Sequence, residues 1–293
     1  MKEFSYPTLE PFNFLGLKNQ DYQKSKIVIF PVPYSSTTYW KAGTKEGPQA
    51  IIEASRHIEL YDIETKKDPS KKGIFTLEPL EPSKNSPKET IERIKGVIDK
   101  ILEDRKIPIM LGGEHSITLG AVLSFKEKFS NFSVLQLDAH TDLRDEFEGT
   151  KYHHACVMRR IRELKTLTTQ VGIRSVSEEE IGYIKKNKIK NIFYAPYLPI
   201  EKIITTLKKN VYLTLDLDVL DPSIMPSTGT PEPGGLGWYE ILGLIKKVAE
   251  KRKIIGVDIV EFDPIPGLVA PDFLAAKLIY KIISYFHRKN TDK

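Results

Sequence analysis

Ser133-Val-Leu-Gln-Leu-Asp-Ala-His-Thr-Asp142 sets a short strand-like run directly against a cluster of metal-ligating side chains. The first five residues are too few for a helix and read as a buried strand. In an Asp-x-His-x-Asp continuation at its mouth, alternate side chains share one face. Asp138, His140 and Asp142 are therefore expected to converge on a cation. The same arrangement recurs twice. Val211-Tyr-Leu-Thr-Leu215 runs into Asp216-Leu-Asp218, and Ile107-Pro-Ile-Met-Leu111 runs into Gly112-Gly-Glu-His115. That makes six candidate ligands at three strand ends, four carboxylates and two imidazoles, and carboxylates can bridge two ions. A lone Asp after a strand more often caps a helix or holds a turn. Agreement at three separated strand ends calls for a two-metal site instead.

Outward from these runs, strands are expected at residues 26–31, 107–111, 133–137, 170–173, 191–194, 212–215 and 253–259. Segments of helical period alternate with them. Residues 88–104 put Ile91, Ile94, Val97, Ile98, Ile101 and Leu102 on one stripe, and residues 238–248 and 273–286 behave similarly. Repeated βαβ units of this kind build a parallel sheet with helices on both faces, and ligands bind beyond the carboxyl ends of its strands. The whole chain, 1–293, reads as a single α/β domain with residues 1–25 as an N-terminal extension. The Lys-, Pro-, Asp- and Ser-rich stretch 62–86 reads as a surface excursion without chemistry.

Composition narrows the function classes. The net charge of +5 (44 minus 39) comes from lysines spread along the chain rather than gathered in a basic run, so no nucleic-acid partner is expected. Cys156 is the single cysteine, which excludes an internal disulfide and fits a reducing compartment. No apolar signal core opens the sequence, and no apolar stretch approaches the roughly 18 residues of a membrane span. A soluble cytoplasmic protein without a membrane partner is expected.

An oxygen-rich set of four carboxylates and two imidazoles suits Mn²⁺ better than Zn²⁺, which favours sulfur and nitrogen. Two ions roughly 3.5–4 Å apart can activate a shared water for attack on an electrophilic carbon or phosphorus. No Gly-x-Ser-x-Gly elbow and no Walker loop competes with that reading. A two-metal phosphoesterase or nuclease would need a basic groove, whereas the segment following Asp142 is acidic.

Gly-Gly-Glu-His-Ser at 112–116, Asp-Ala-His-Thr-Asp at 138–142 and Leu-Asp-Leu-Asp-Val-Leu-Asp-Pro at 215–222 resemble the signatures of the ureohydrolase family, which includes arginases and agmatinases. The resemblance begins at Gly43-Thr-Lys-Glu-Gly-Pro-Gln-Ala-Ile51, continues through Gly229-Thr-Pro-Glu-Pro-Gly-Gly235 and ends near Asp258-Ile-Val-Glu-Phe-Asp263. It implies a three-layer α/β/α fold around a mainly parallel, eight-stranded sheet, and two Mn²⁺ per subunit. One ion would be held by His115, Asp138, Asp142 and Asp216, the other by Asp138, His140, Asp216 and Asp218. The resemblance further implies that Asp142 accepts the proton of the attacking water, that Glu261 pairs with the substrate guanidinium, and that His154 passes a proton to the leaving amine. His153, where a small residue is expected, is a loop residue that could touch substrate. A homo-oligomer, trimer or hexamer, is the family habit. His57 and His287 read as structural, and Cys156 as a buried small hydrophobe.

Substrate choice belongs to the loops. Arginases carry an Asn two residues beyond the last Asp of Asp-x-His-x-Asp and an aspartate after the Gly-Ile-Arg segment. Arg144 and Ser177 stand there instead, which argues against arginine. Asp145, Glu146 and Glu148 would attract a cationic tail, so agmatine is the expected substrate, hydrolysed to putrescine and urea. Aminopropylagmatine fits the same logic. Guanidinobutyrate and formimidoylglutamate would need a cationic partner such as Arg144. A non-catalytic homologue would be expected to have lost ligands, and all six are present.

Overall fold

The computed structural model describes residues 6, 8–38 and 40–286. Eight strands form, most of them from the near-continuous apolar runs that mark strands buried on both faces. They are β1 (Ile27–Val32), β2 (Ile74–Thr76), β3 (Ile107–Gly112), β4 (Phe132–Leu137), β5 (Leu167–Ile173), β6 (Ile192–Tyr194), β7 (Asn210–Asp216) and β8 (Lys253–Val260). They make one sheet in the order β2-β1-β3-β8-β7-β4-β5-β6, every adjacent pair parallel.

Strand alternation divides the core into two layers. Ile27, Ile29, Ile109, Leu111, Leu213 and Leu215 face α1 (Gly47–Ser55), α6 (Ile200–Thr205), α7 (Trp238–Lys251) and α8 (Ala270–Tyr285). Val28, Phe30, Met110, Val134 and Tyr212 face α2 (Pro87–Glu103), α3 (Thr118–Lys128) and α4 (Val157–Glu163). The expected three-layer α/β/α fold is present. The amphipathic stripe of α2 is as read, with Ile91, Ile94, Ile98 and Ile101 buried. A short α5 (Glu178–Lys186) follows β5. Among the described residues no helix is long and apolar enough to cross a membrane.

The stretch 62–86 differs from its reading as a surface excursion. It contains β2 at the sheet edge, where Ile74 pairs with Ile27. It is also anchored to α8, because buried Lys281 donates to Asp62 Oδ2 at 2.8 Å and to Glu64, and Tyr285 OH donates to Glu64 at 2.7 Å. A three-residue strand among prolines and lysines carries too little periodicity to be seen in sequence. Part of the 1–25 extension is also packed: Phe14 and Leu15 are buried in the core, and Leu15 N donates to Ser55 Oγ at 2.8 Å.

β3, β8, β7 and β4 are consecutive in the sheet, so their carboxyl ends are neighbours. His115, Glu261 and the Asp138–Asp142 run each follow one of these four strands, and Asp216, the last residue of β7, leads into Asp218.

Candidate metal centre

Two groups of ligand atoms lie close enough to share an ion: His115 with Asp138 and Asp142, and Asp138 with His140 and Asp218. Asp138 belongs to both. His115 Nδ1 stands 3.1 Å from Asp138 Oδ2, 3.1 Å from Asp142 Oδ2 and 3.4 Å from Asp216 Oδ2. His140 Nδ1 stands 2.8 Å from Asp218 Oδ2 and 3.6 Å from Asp138 Oδ1. The convergence expected of the first run is present, but strand alternation is not its cause. β4 ends at Leu137, and Asp142 reaches the site through a left-handed backbone (φ 52°). Glu180 secures that loop, accepting from Thr141 Oγ1 at 2.6 Å and Leu143 N at 2.8 Å. Glu261 is also left-handed (φ 60°), and two such non-glycine residues in one site mark backbone held by its surroundings.

Close backbone approach explains the Gly-Gly pair. A Cβ on Gly113 would lie 1.8 Å from the Tyr34 carbonyl oxygen, and Gly113 O accepts from Glu261 N at 2.8 Å. The next residue, buried Glu114, accepts from Ser36 N, Thr37 N and Ser116 Oγ, each at 2.6 Å, and from Thr37 Oγ1. It thereby ties the loop after β1 to the floor of the site.

Charge is crowded here. Burial and the neighbouring Asp138 push Asp142 up to about 7, and burial with Asp218 and Asp138 raises Asp216 well above the usual carboxylate range. Burial alone would depress His115, but the Asp138, Asp142 and Asp216 carboxylates outweigh it and hold the imidazole well above its ordinary value. Burial and Glu114 raise Glu261. Buried carboxylates at this density need compensating positive charge. The donor set fits divalent cations. His115 Nδ1, fully buried, has no well-directed hydrogen-bond partner and faces only carboxylate oxygens.

The cluster floors a cavity of about 420 Å³, lined by His115, His140, Asp142, Asp216, Asp218 and Glu261, among others. His154 and Arg144 line it too, and Trp40, 74% exposed, stands at its edge. The Arg144 guanidinium lies 4.6 Å above the Phe147 ring and 4.0 Å from Glu179. Two other sequence candidates are elsewhere. His153 is 1% exposed beneath Phe147 and His154, its Nδ1 accepting from Ala155 N at 3.2 Å, and Glu148 is exposed 3.7 Å from His153 Nε2. Neither lines the cavity. Asp145 is engaged by Arg160 at 2.7 Å, and Ser177 caps α5 in a capping box with Glu180. His57 is exposed beside Glu53, and His287 lies outside the described residues. Cys156 is fully buried, its thiol pushed up to about 12 by burial and then by Asp142.

Sequence reading missed the residues behind the ligands. Gln136 Nε2 donates to Asp138 Oδ2 at 2.6 Å, and Thr214 and Asp258 lie behind His115. Their signal was present as single polar residues inside otherwise apolar strand runs.

Fold and site together define a metal-binding α/β/α enzyme whose candidate ligands lie at the carboxyl ends of β3, β7 and β4, with Glu261 after the intervening β8. Residues 25–284 match the model of the arginase family. The chain belongs to that family. It is 38% identical over 284 residues to the N(1)-aminopropylagmatine ureohydrolase of Synechocystis sp., covering 93% of this chain and 92% of that one. It is 34% identical over 272 residues to the N(1)-aminopropylagmatine ureohydrolase of Thermus thermophilus, with 92% of each covered. The crystal structure of agmatine ureohydrolase of Thermoplasma volcanium superposes with a TM-score of 0.84 at 34% identity, covering 95% of this chain and 94% of that one.

Proposed function

We propose that this chain is a binuclear manganese ureohydrolase that releases urea from a guanidine carrying a cationic aliphatic tail. The observation that carries the reading is the pair of ligand groups sharing Asp138, with His115 Nδ1 turned onto three carboxylates. His115, Asp138, Asp142 and Asp216 would hold one ion, and Asp138, His140, Asp216 and Asp218 the other. When bound, the ions would supply Lewis-acid charge that makes water a nucleophile near neutral pH. Asp142 would accept the proton of the attacking water. Glu261, one oxygen fixed by His115 N at 2.6 Å, receives the guanidinium N–H groups and orients the carbon. His154 lines the cavity wall, and burial lowers its pKa to about 3, so its imidazole is neutral and would relay rather than store the proton that reaches the departing amine.

The names of the two ureohydrolase relatives favour N(1)-aminopropylagmatine as first substrate, ahead of agmatine. The exposed indole of Trp40 at the cavity edge supports a cationic tail, since an aromatic face attracts a cation. Arg144 on the cavity wall favours a second reading, a guanidine with a carboxylate tail such as guanidinobutyrate. The proposal includes a cytoplasmic homo-oligomer, trimer or hexamer, on the strength of the sequence resemblance. The test is urea release by Mn²⁺-loaded protein offered aminopropylagmatine, agmatine, arginine and guanidinobutyrate separately at matched concentration. Release from either of the first two with little from the others is expected. Preference for arginine or guanidinobutyrate would overturn the tail argument, and silence on all four with two ions bound would overturn the reaction.

A further inference from the structure

Behind His115, three side chains form a buried line running away from the cavity. His115 Nε2 lies 2.8 Å from Thr214 Oγ1, Thr214 Oγ1 donates to Asp258 Oδ1 at 2.6 Å, and Tyr212 OH donates to Asp258 Oδ2 at 2.6 Å. All four residues are at most 1% exposed. Thr214 and Asp258 are register partners on β7 and β8, so the sheet itself aligns them on one face. Tyr212, two residues earlier, shares that face and packs against Phe125 of α3, ring centroids 4.8 Å apart.

The line has a direction. Both Asp258 oxygens are acceptors here, Oδ1 from Thr214 and Oδ2 from Tyr212, so the single hydroxyl proton of Thr214 is committed to Asp258. Thr214 Oγ1 then faces His115 with lone pairs only, its other near neighbour being Thr118 Oγ1 at 3.3 Å. In the neutral imidazole the proton must sit on Nε2, which leaves Nδ1 as the lone pair turned onto Asp138, Asp142 and Asp216. The opposite polarity would put a proton on the atom needed as ligand.

We infer that Thr214 and Asp258 are positioning residues that lock His115 in its Nε2–H tautomer, so that the first-ion site is set from the helix layer through Tyr212, Asp258 and Thr214. The inference rests on the metal reading given above and assigns roles to residues that touch no ion. Outer partners of this kind typically change metal affinity by about 10- to 100-fold.

The test compares Mn²⁺ binding to wild type, Thr214→Val and Thr214→Ser, by calorimetric titration of metal-stripped protein, with a thermal unfolding curve for each. Valine keeps the shape of threonine without the hydroxyl, and serine restores the hydroxyl. Thr214→Val is expected to weaken one of two ions by about 10- to 100-fold while the other stays within about threefold, and Thr214→Ser is expected to bind both like wild type. In Zn²⁺-loaded protein, used as a diamagnetic probe, the hydrogen-bonded Nε2–H proton resonance of His115 should be seen in wild type and Thr214→Ser and be lost to exchange in Thr214→Val. Wild-type affinity for both ions in Thr214→Val, equal weakening of both, or failure of serine to rescue overturns the inference alone. A wild-type protein that takes up fewer than two ions overturns the proposed function, and this inference with it.

Discussion

Glu261→Gln isolates substrate orientation from metal binding. Glu261 Oε1 accepts from His115 N at 2.6 Å, a bond that the amide oxygen of glutamine can keep. What changes is the other terminal atom, which becomes an NH₂ facing the N–H groups of an incoming guanidinium. A hydrogen bond to a charged group contributes about 1.5–3 kcal/mol, and setting donor against donor adds to the loss. A total of about 3 kcal/mol corresponds to roughly a hundredfold fall in kcat/KM. Stability should move the other way. Burial and Glu114 raise the Glu261 pKa, so its ionised form costs folding free energy in metal-free protein at neutral pH, and a neutral amide removes that cost. The expected variant binds two ions, melts no lower than wild type when metal-free, and releases urea about a hundredfold less efficiently. Urea release within threefold of wild type, with both ions bound, would refute the assignment.

Asp138→Asn removes the carboxylate common to both ligand groups and should cost both bound metal and turnover; two tightly bound ions with unchanged turnover would contradict its bridging role. Burial, then Arg144, lowers the His153 pKa to about 4, below its unfolded value, so the folded chain binds fewer protons than the unfolded one between about pH 6.5 and 4. Stability should therefore fall as the pH drops through that window. His153→Asn should flatten the fall by up to about 1.4 kcal/mol per pH unit in urea unfolding curves. Lys281→Met leaves the buried Asp62 and partly buried Glu64 without their shared cation and should destabilise the chain by about 3–5 kcal/mol, read from the urea midpoint, with little change in metal binding.

The sequence carried the central sheet because parallel strands buried on both faces are nearly unbroken apolar runs, as at Ile27–Val32 and Asn210–Asp216. It missed β2, whose three residues join the sheet by pairing with β1 rather than by any pattern of their own. The ligands were legible because Asp, His and Asp at strand ends are chemically unusual together. Their supports were not, since Glu114, Thr214 and Asp258 act through partners 77, 99 and 44 residues away. His153 and Glu148 looked like cavity residues because they neighbour His154 and Arg144 in the chain. The loop between them folds so that Phe147 covers His153, ring centroids 4.8 Å apart.

The most direct test of the central claim is to titrate metal-stripped protein with Mn²⁺ while following bound metal and urea release from aminopropylagmatine in the same samples. The account predicts two ions per chain and activity that reaches its plateau only as the second site fills. Full urea release from metal-free protein, or a plateau at one ion per chain, would contradict it.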